Sequence, residues 1–343
     1  MRKIVVTGGQ GFIGSNLIEL LLKKNYFVIN IDKSSYSANP YNVIKFKKNK
    51  NYVFFKQDIN NKQKIFKILK KFKPIGIFNL AAETHVDRSI DSPHAFLKTN
   101  ILGVFNLLEA VKLFNKNSRK KIKFLHVSTD EVYGDIKKNL QVSENYNYNP
   151  SSPYSASKAG ADQLIKSYYR TYGSSIIIAN SCNNYGPNQL PEKFIPKIIF
   201  NIIKNKPIPL YGKGTNVREW IFVKDNCEAL IRIFNKGKIG KNYNVGTGVR
   251  VKNLDIIKLI FKIARNHKIT IKKNVKIKFV KDRPGHDKRY AIDSSKIRKE
   301  LKWKYKISLR KGLEKTFRWY LNNQNYFKQI SKNNINKRFG LKI

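Results

Sequence analysis

Carboxylates are scarce in this chain of 343 residues: 22 Asp and Glu stand against 69 Lys and Arg, a formal net charge of +47 with the five histidines neutral. Cysteine is nearly absent. Cys182 and Cys227 cannot build a disulfide framework, and neither stands in a metal-ligand spacing such as C-x-x-C. Both are expected as small core residues, and no metal site is expected. No apolar run reaches the roughly 18 residues a membrane span needs, because lysines interrupt every long one. The N-terminus, Met1 to Gly9, runs straight into a glycine turn without the apolar segment of a signal peptide. A reduced, cytoplasmic protein that crosses no membrane is the expectation. What is plentiful is apolar side chain, 41% with 12% aromatic, enough for a full core in one large domain or two unequal ones.

A positive balance of this size first suggests a nucleic-acid binder, since Lys and Arg on phosphates supply most non-specific affinity. The lysines, however, are spread along the whole chain and mixed with Ile and Asn. Only Lys45 to Lys50 and Arg119 to Lys123 form short basic blocks. A genome rich in Lys, Asn and Ile codons gives the same composition, so no nucleic-acid partner is expected.

The order of segments is more informative. Ile4-Val5-Val6 is a β-branched run, followed by glycines at 8, 9, 11 and 14 and by apolar residues at helical spacing, Phe12, Leu17, Leu20 and Leu21. Phe27 to Ile31 then reads as a second buried strand ending at Asp32. The alternation continues with strands at Val53 to Phe55, Ile75 to Leu80, Lys123 to Val127 and Ser175 to Asn180. Helices are predicted over Lys64 to Phe72, Ala95 to Phe114 and Ser155 to Tyr172. This rhythm predicts an α/β fold with a doubly wound parallel sheet of the Rossmann kind over 1–180. Past 181, Pro and Gly become frequent, which predicts a smaller mixed lobe over 181–326, with a segment within about 214–245 returning to the sheet. Residues 327–343 hold no acid and predict a loosely ordered basic tail.

Three motifs carry chemistry. Gly8, Gly11 and Gly14 lie between a strand and a helix, where they let backbone approach a pyrophosphate at the helix N-terminus. Asp32 at the next strand end suits a ribose hydroxyl and repels a 2′-phosphate, favouring NAD over NADP, although neighbouring Lys33 works against this. Tyr154-x-x-x-Lys158 puts a phenol and an ammonium on one helix face, where the cation can bring the phenol, ordinarily about 10, into a working range. Ser128-Thr129-Asp130-Glu131-Val132-Tyr133-Gly134 follows a buried strand, the place where doubly wound folds carry their chemistry.

Taken together, TGGQGFIGSNL, AAETHVDRSI, STDEVYGD, PSSPYSASKA, NNYGPNQLPEKFIP, YGKGTNVREWIFV and DRPGHDKRYAID resemble the nucleotide-sugar 4,6-dehydratases of the extended short-chain dehydrogenase/reductase superfamily, over residues 7–293. The resemblance implies a lyase with bound NAD, acting on dTDP-glucose in deoxysugar biosynthesis, with UDP- or CDP-glucose as alternatives. It implies that Tyr154 takes the C4 hydroxyl proton, Thr129 bonds the C4 oxygen and Lys158 holds ribose and phenolate. Glu131 is implied as the base at C5, and protonated Asp130 as the acid at the C6 hydroxyl. For the cofactor it points to Gly8, Gly11, Phe12, Ile13, Gly14, Asp32, Lys33, Ser34, Ser35, Asp58 and Ile59. It adds Leu80, Ala81, Ala82, Glu83, Thr84, Thr99, Tyr154, Lys158 and Asn184. For the substrate it points to Thr84, Thr129, Asn183, Lys193, Pro209, Leu210, Tyr211, Arg218, Asn253, Asp282, Arg283 and His286.

Thr84 stands where this family usually has Ser and Glu219 where it usually has Asp, and both keep the chemical type. His94, His126 and His267 match no role and are expected as structural or surface residues. A homodimer is implied through the helices at about 95–114 and 155–172. Two rivals remain: a UDP-sugar 4-epimerase, which needs no acid or base at C5 and C6, and a non-catalytic nucleic-acid-binding protein on the same fold.

Overall fold

The computed structural model describes residues 1–328 and Ile330. Short strands form where β-branched and aromatic residues alternate between two buried faces. In β1 (Lys3–Thr7), Ile4 and Val6 pack into one core and Val5 into the opposite one. In β2 (Phe27–Asp32), Val28 faces the first core, Ile29 and Ile31 the second. β3 (Tyr52–Lys56), β4 (Gly76–Asn79), β5 (Lys123–Thr129) and β6 (Ile176–Ser181) follow. Each fully buried Ile or Val contributes roughly 1.5–3 kcal/mol, so burial on both faces fixes the layer.

α1 (Phe12–Lys23), α2 (Lys62–Phe72), α3 (Val86–Asp91), α4 (Pro93–Phe96), α5 (Gly103–Lys116) and α6 (Pro153–Tyr172) connect the strands. α6 starts where the sequence specifies it. Ser152 and Ser155 cap each other's backbone N–H groups, Pro153 occupies the first turn, and Gly173 ends the helix at φ +60°.

The chain continues through β7 (Asn183–Tyr185), α7 (Phe194–Ile203), β8 (Ile208–Tyr211), β9 (Val217–Phe222) and α8 (Val223–Lys236) to β10 (Asn242–Val245). β11 (Arg250–Lys252), α9 (Asn253–Asn266), β12 (Ile277–Val280), α10 (Ser295–Leu301), α11 (Leu309–Asn322) and α12 (Asn325–Lys328) complete it. The main sheet has seven parallel strands in the order β10-β6-β5-β4-β1-β2-β3. The carboxyl ends of β1, β2, β4, β5 and β6 therefore open on one side, where this topology places ligands. A three-stranded sheet, β11-β9-β7, and a two-stranded one, β12-β8, form the second lobe over its own core around Tyr185, Trp220, Ile256 and Phe317.

Two differences from the sequence reading have physical causes. The helix expected over Ala95 to Phe114 is interrupted by a π-helical turn, Leu97–Leu102, between α4 and α5. Within it Asn100 turns inward, accepting from the Glu83 N–H (2.9 Å) and donating to Glu83 O (3.0 Å) and Ser157 Oγ (2.8 Å). These bonds hold an extra residue in the turn. At the other end, Phe327 is buried in the second core beside Tyr326, whose hydroxyl donates to Asn188 O at 2.7 Å. Most of the basic tail expected over 327–343 lies outside the described residues.

Candidate active site

The glycine turn after β1 is a cradle with no room for side chains. A Cβ on Gly14 would stand 2.3 Å from Gly8 O, and one on Gly8, which has φ +71°, would stand 2.8 Å from Ala81 N. α1 begins at Gly11 without a side-chain cap, leaving its first N–H groups free for an anion. Gly8, Gly11, Phe12, Ile13, Gly14, Asp32, Lys33, Ser35, Asp58, Ile59, Leu80, Ala81, Ala82, Thr84, Thr99, Tyr154, Lys158 and Asn184 all line one elongated cleft.

Two cofactor residues named from the sequence stand outside that lining, because each spends its polar groups bracing a neighbour. The Ser34 hydroxyl donates to Gln10 Oε1 (2.7 Å). Glu83 pairs with Lys33 (3.3 Å), which also donates to Thr99 Oγ1 (3.0 Å). Lys33 is thus committed to the cleft wall. The Asp32 carboxylate accepts from the N–H groups of Gln10 (3.0 Å) and Ser34 (2.8 Å), while its burial pushes its pKa up. Asp58 accepts from Asn60 N at 2.9 Å, which fixes the loop after β3.

At the end of β5 the backbone turns so that Thr129, Asp130 and Glu131 face the cleft. Asp130 is 2% exposed; one oxygen accepts from Thr129 Oγ1 (3.3 Å) and the other has no protein partner. Burial first, then the charges of Glu131 and Glu219, raise its pKa well above the ordinary carboxylate range. Burial raises Glu131 too, but Arg283, Arg218 and Lys193 pull it back. Adjacent carboxyls thus sit in different fields, both raised by burial but only Glu131 opposed by three cations.

Tyr154 and Lys158 both point into the same cleft from α6. The expected pairing of the Lys158 ammonium with the phenol is not what the side chains make. Lys158 Nζ donates to Val127 O (2.8 Å) and lies 3.1 Å from His126 Nε2. Burial brings its pKa down to about 8, while burial and Glu131 raise that of Tyr154, with the Thr129 hydroxyl bond working the other way. His126 is not a surface residue. It is 1% exposed, bonded to Asn79 Nδ2 (2.9 Å) and 3.6 Å from Asp162, a carboxylate that also accepts from Ser128 (2.7 Å) and Tyr148 (3.0 Å). His267 stacks on Phe317, and His94 is exposed.

A second cavity joins the first through Thr84, Glu131, Asn183, Asn184 and Lys193. It is lined by Pro209, Leu210, Tyr211, Arg218, Asn253, Arg283 and His286 from the second lobe. Asp282 is outside the lining and braces His286 Nδ1 at 2.6 Å; burial, with Arg283 and Arg218, takes that imidazole down to about 4. Arg218 is aimed by the carbonyls of Val217 (2.9 Å) and Asp287 (2.9 Å), and Arg283 by Asp87 (2.8 Å), whose other oxygen accepts from Tyr211 (2.6 Å). Lys193 donates to Thr84 O at 2.7 Å. Oδ1 of Asn183, Asn184 and Asn253 is buried without a protein partner, the condition of a site whose polar atoms are meant for a ligand. Sequence reasoning assigned no role to Tyr290, Asp287, Asn100 or His126. Only the position of Tyr290 and Asp287 in the DRPGHDKRYAID segment hinted at them.

The family model described as GDP-mannose 4,6 dehydratase matches residues 5–316. A dTDP-glucose 4,6-dehydratase of Haemophilus influenzae is 43% identical over 334 residues, 94% of this chain and 99% of the relative. A Bacillus anthracis dTDP-glucose 4,6-dehydratase crystallised in complex with NAD superposes with a TM-score of 0.87 at 38% identity, covering 96% of this chain and 100% of that one. A Streptomyces venezuelae dTDP-glucose 4,6-dehydratase with NAD and TYD bound gives 0.88 at 35% identity and the same coverage. With the carboxyl pair, the Tyr-x-x-x-Lys face and the glycine cradle in one cleft, and relatives matched over nearly their full length, the chain belongs to the family of the dTDP-glucose 4,6-dehydratases.

Proposed function

We propose that this protein is an NAD-dependent hydro-lyase that converts dTDP-glucose to dTDP-4-keto-6-deoxyglucose. The observation that carries the reading is the Asp130–Glu131 pair, with a buried carboxyl whose pKa is raised well above the ordinary range beside one facing three cations. A 4-epimerase has no use for such a pair. NAD, held against the Gly8–Gly14 cradle, Asp32 and Lys158, supplies the hydride acceptor for C4 and the hydride donor for C6.

Tyr154 takes the proton of the C4 hydroxyl while Thr129 holds the C4 oxygen. The C4 ketone acidifies the C5 proton. Glu131 removes that proton as the C6 hydroxyl leaves, and Asp130 protonates it so that it departs as water. Glu131 then returns a proton to C5. The cations Lys193, Arg218 and Arg283 and the amides of Asn183 and Asn253 suit the diphosphate and the nucleoside. The curated relatives support thymidine over uridine or cytidine as the base.

The reading includes a cytoplasmic homodimer. Leu97, Leu102, Phe105, Leu113, Tyr169 and Tyr172 are exposed along the π turn, α5 and α6, an apolar surface suited to a second copy. No helix among the described residues is long and apolar enough to cross a membrane.

Incubation with dTDP-, UDP- and CDP-glucose tests the substrate. Keto-sugar product is expected from dTDP-glucose first, and none from any of the three would refute the reaction. Glu131→Gln should build up NADH absorbance while 6-deoxy product falls by about 10²-fold or more, the scale for losing a general base. Unchanged turnover would show that Glu131 is not the C5 base.

A further inference from the structure

Glu131 is not isolated behind the substrate cavity. Its Oε2 lies 3.4 Å from the hydroxyl of Tyr290, 159 residues further along the chain. The Tyr290 hydroxyl donates to Asp287 Oδ2 at 2.7 Å, and Asp287 Oδ1 accepts from Ser151 Oγ at 2.6 Å. Tyr290 is 3% and Asp287 7% exposed, whereas Ser151 is exposed to solvent. The four groups form a continuous chain of oxygens from the cleft to the surface. It is also held rigidly: Arg218 lies over the Tyr290 ring at 4.2 Å, and Arg218 and Asn216 both bond Asp287 O.

We infer that Tyr290, Asp287 and Ser151 form a proton relay between Glu131 and solvent, so that the proton delivered to C5 is drawn from water and not kept from the substrate. The inference rests on Glu131 being the C5 base. Once Glu131 has taken the C5 proton, its carboxyl O–H points at the Tyr290 oxygen. That O–H breaks as a new one forms on Tyr290, and the original phenol proton passes to Asp287 Oδ2. Asp287, now neutral, exchanges its proton with solvent through the Ser151 hydroxyl. Run in reverse, the same steps return a solvent proton to Glu131. The outward leg carries one proton from Glu131 to solvent and the return leg restores it, so the round trip leaves no net charge and no co-reactant is needed. Burial, with the charge of Glu131, raises the Tyr290 pKa well above its ordinary value, so the phenol passes a proton on without resting as phenolate. Tyr290 and Asp287 act through Glu131 and are positioning residues, not catalytic ones.

The test is turnover of dTDP-glucose in D2O, with deuterium at C5 counted per molecule of keto-sugar product by NMR. Product made in H2O and held with enzyme in D2O sets the background for exchange next to the ketone. Wild type is expected to carry deuterium at C5 in most molecules. Tyr290→Phe keeps the ring under Arg218 and removes only the hydroxyl, and should leave deuterium in a minority of products. Asp287→Asn, which cannot take up a proton, should do the same. Because the readout is a ratio within the product, a slower enzyme reports as well as a fast one. Wild-type product retaining protium at C5, or equal deuterium in wild type and either variant, overturns the relay. Unchanged turnover of Glu131→Gln would instead overturn the assignment of the base, which keeps the two failures distinct.

Discussion

In the proposed mechanism Asp130 serves chemistry at a cost in stability. A carboxyl whose pKa is raised on folding binds more protons in the native than in the unfolded state, so stability falls as pH rises above the ordinary carboxylate value of 3.8. Asp130→Asn keeps the shape and removes that loss. The variant should be inactive as a dehydratase yet more stable than wild type at neutral pH. The gain should vanish below about pH 4, where both states of the wild type are protonated. Thermal melts across pH check this, and an Asn variant less stable at neutral pH would show that Asp130 is not held as the acid. The roles of Thr129, Asp130, Glu131, Tyr154 and Lys158 were implied by the resemblance, which two short motifs carry. The environment of Lys158 was not. Its contacts, His126 on β5 and the carbonyl of Val127, follow from strand register, and the lone histidine carried no local signal.

At the scale of elements, β1, α1 and β2 were legible because buried strands and amphipathic helices leave different apolar periods, and the glycines mark the turn between them. The π turn at Leu97–Leu102 was not. Apolar spacing over 95–114 fits an unbroken helix, and what bends the chain is the reach of Asn100 to Glu83 and Ser157, 17 and 57 residues away. Asn100→Ala should leave the N–H and C=O of Glu83 buried without partners. The expected cost is about 2–6 kcal/mol, at roughly 1–3 kcal/mol for each orphaned group. NAD affinity should weaken too, since Thr99 and Glu83 position Lys33 on the cleft wall. Denaturant unfolding and NAD titration measure the two effects, and a variant matching wild type in both would mean the turn is held by something else. The small sheets were also illegible, because β7 pairs in parallel with β9 across Asn183↔Trp220 and β9 antiparallel with β11, contacts that short strands do not announce.

At the scale of the molecule, the charge of +47 separates into an interior and a surface. Asp32, Glu83, Asp87, Asp130, Asp162, Glu219, Asp225 and Asp287 are all buried, so a large share of the 22 acids is withdrawn from solvent and the exterior is left basic. A surface of this sign gathers an anionic nucleotide sugar. Raising salt toward 0.5 M should therefore lower kcat/KM for dTDP-glucose several-fold by screening while kcat stays nearly constant. A salt-independent kcat/KM would assign substrate capture to the cleft residues alone.

The proposed reaction moves hydrogen within one sugar, from C4 to C6, as water leaves. Turnover of dTDP-glucose carrying deuterium at C4 tests this most directly, with the product analysed by NMR and mass spectrometry. A 4-keto sugar with that deuterium in the C6 methyl group is expected. Deuterium restored to C4 of a sugar that still holds its C6 hydroxyl, as epimerisation would give, or a 6-deoxy product without the label, would contradict it.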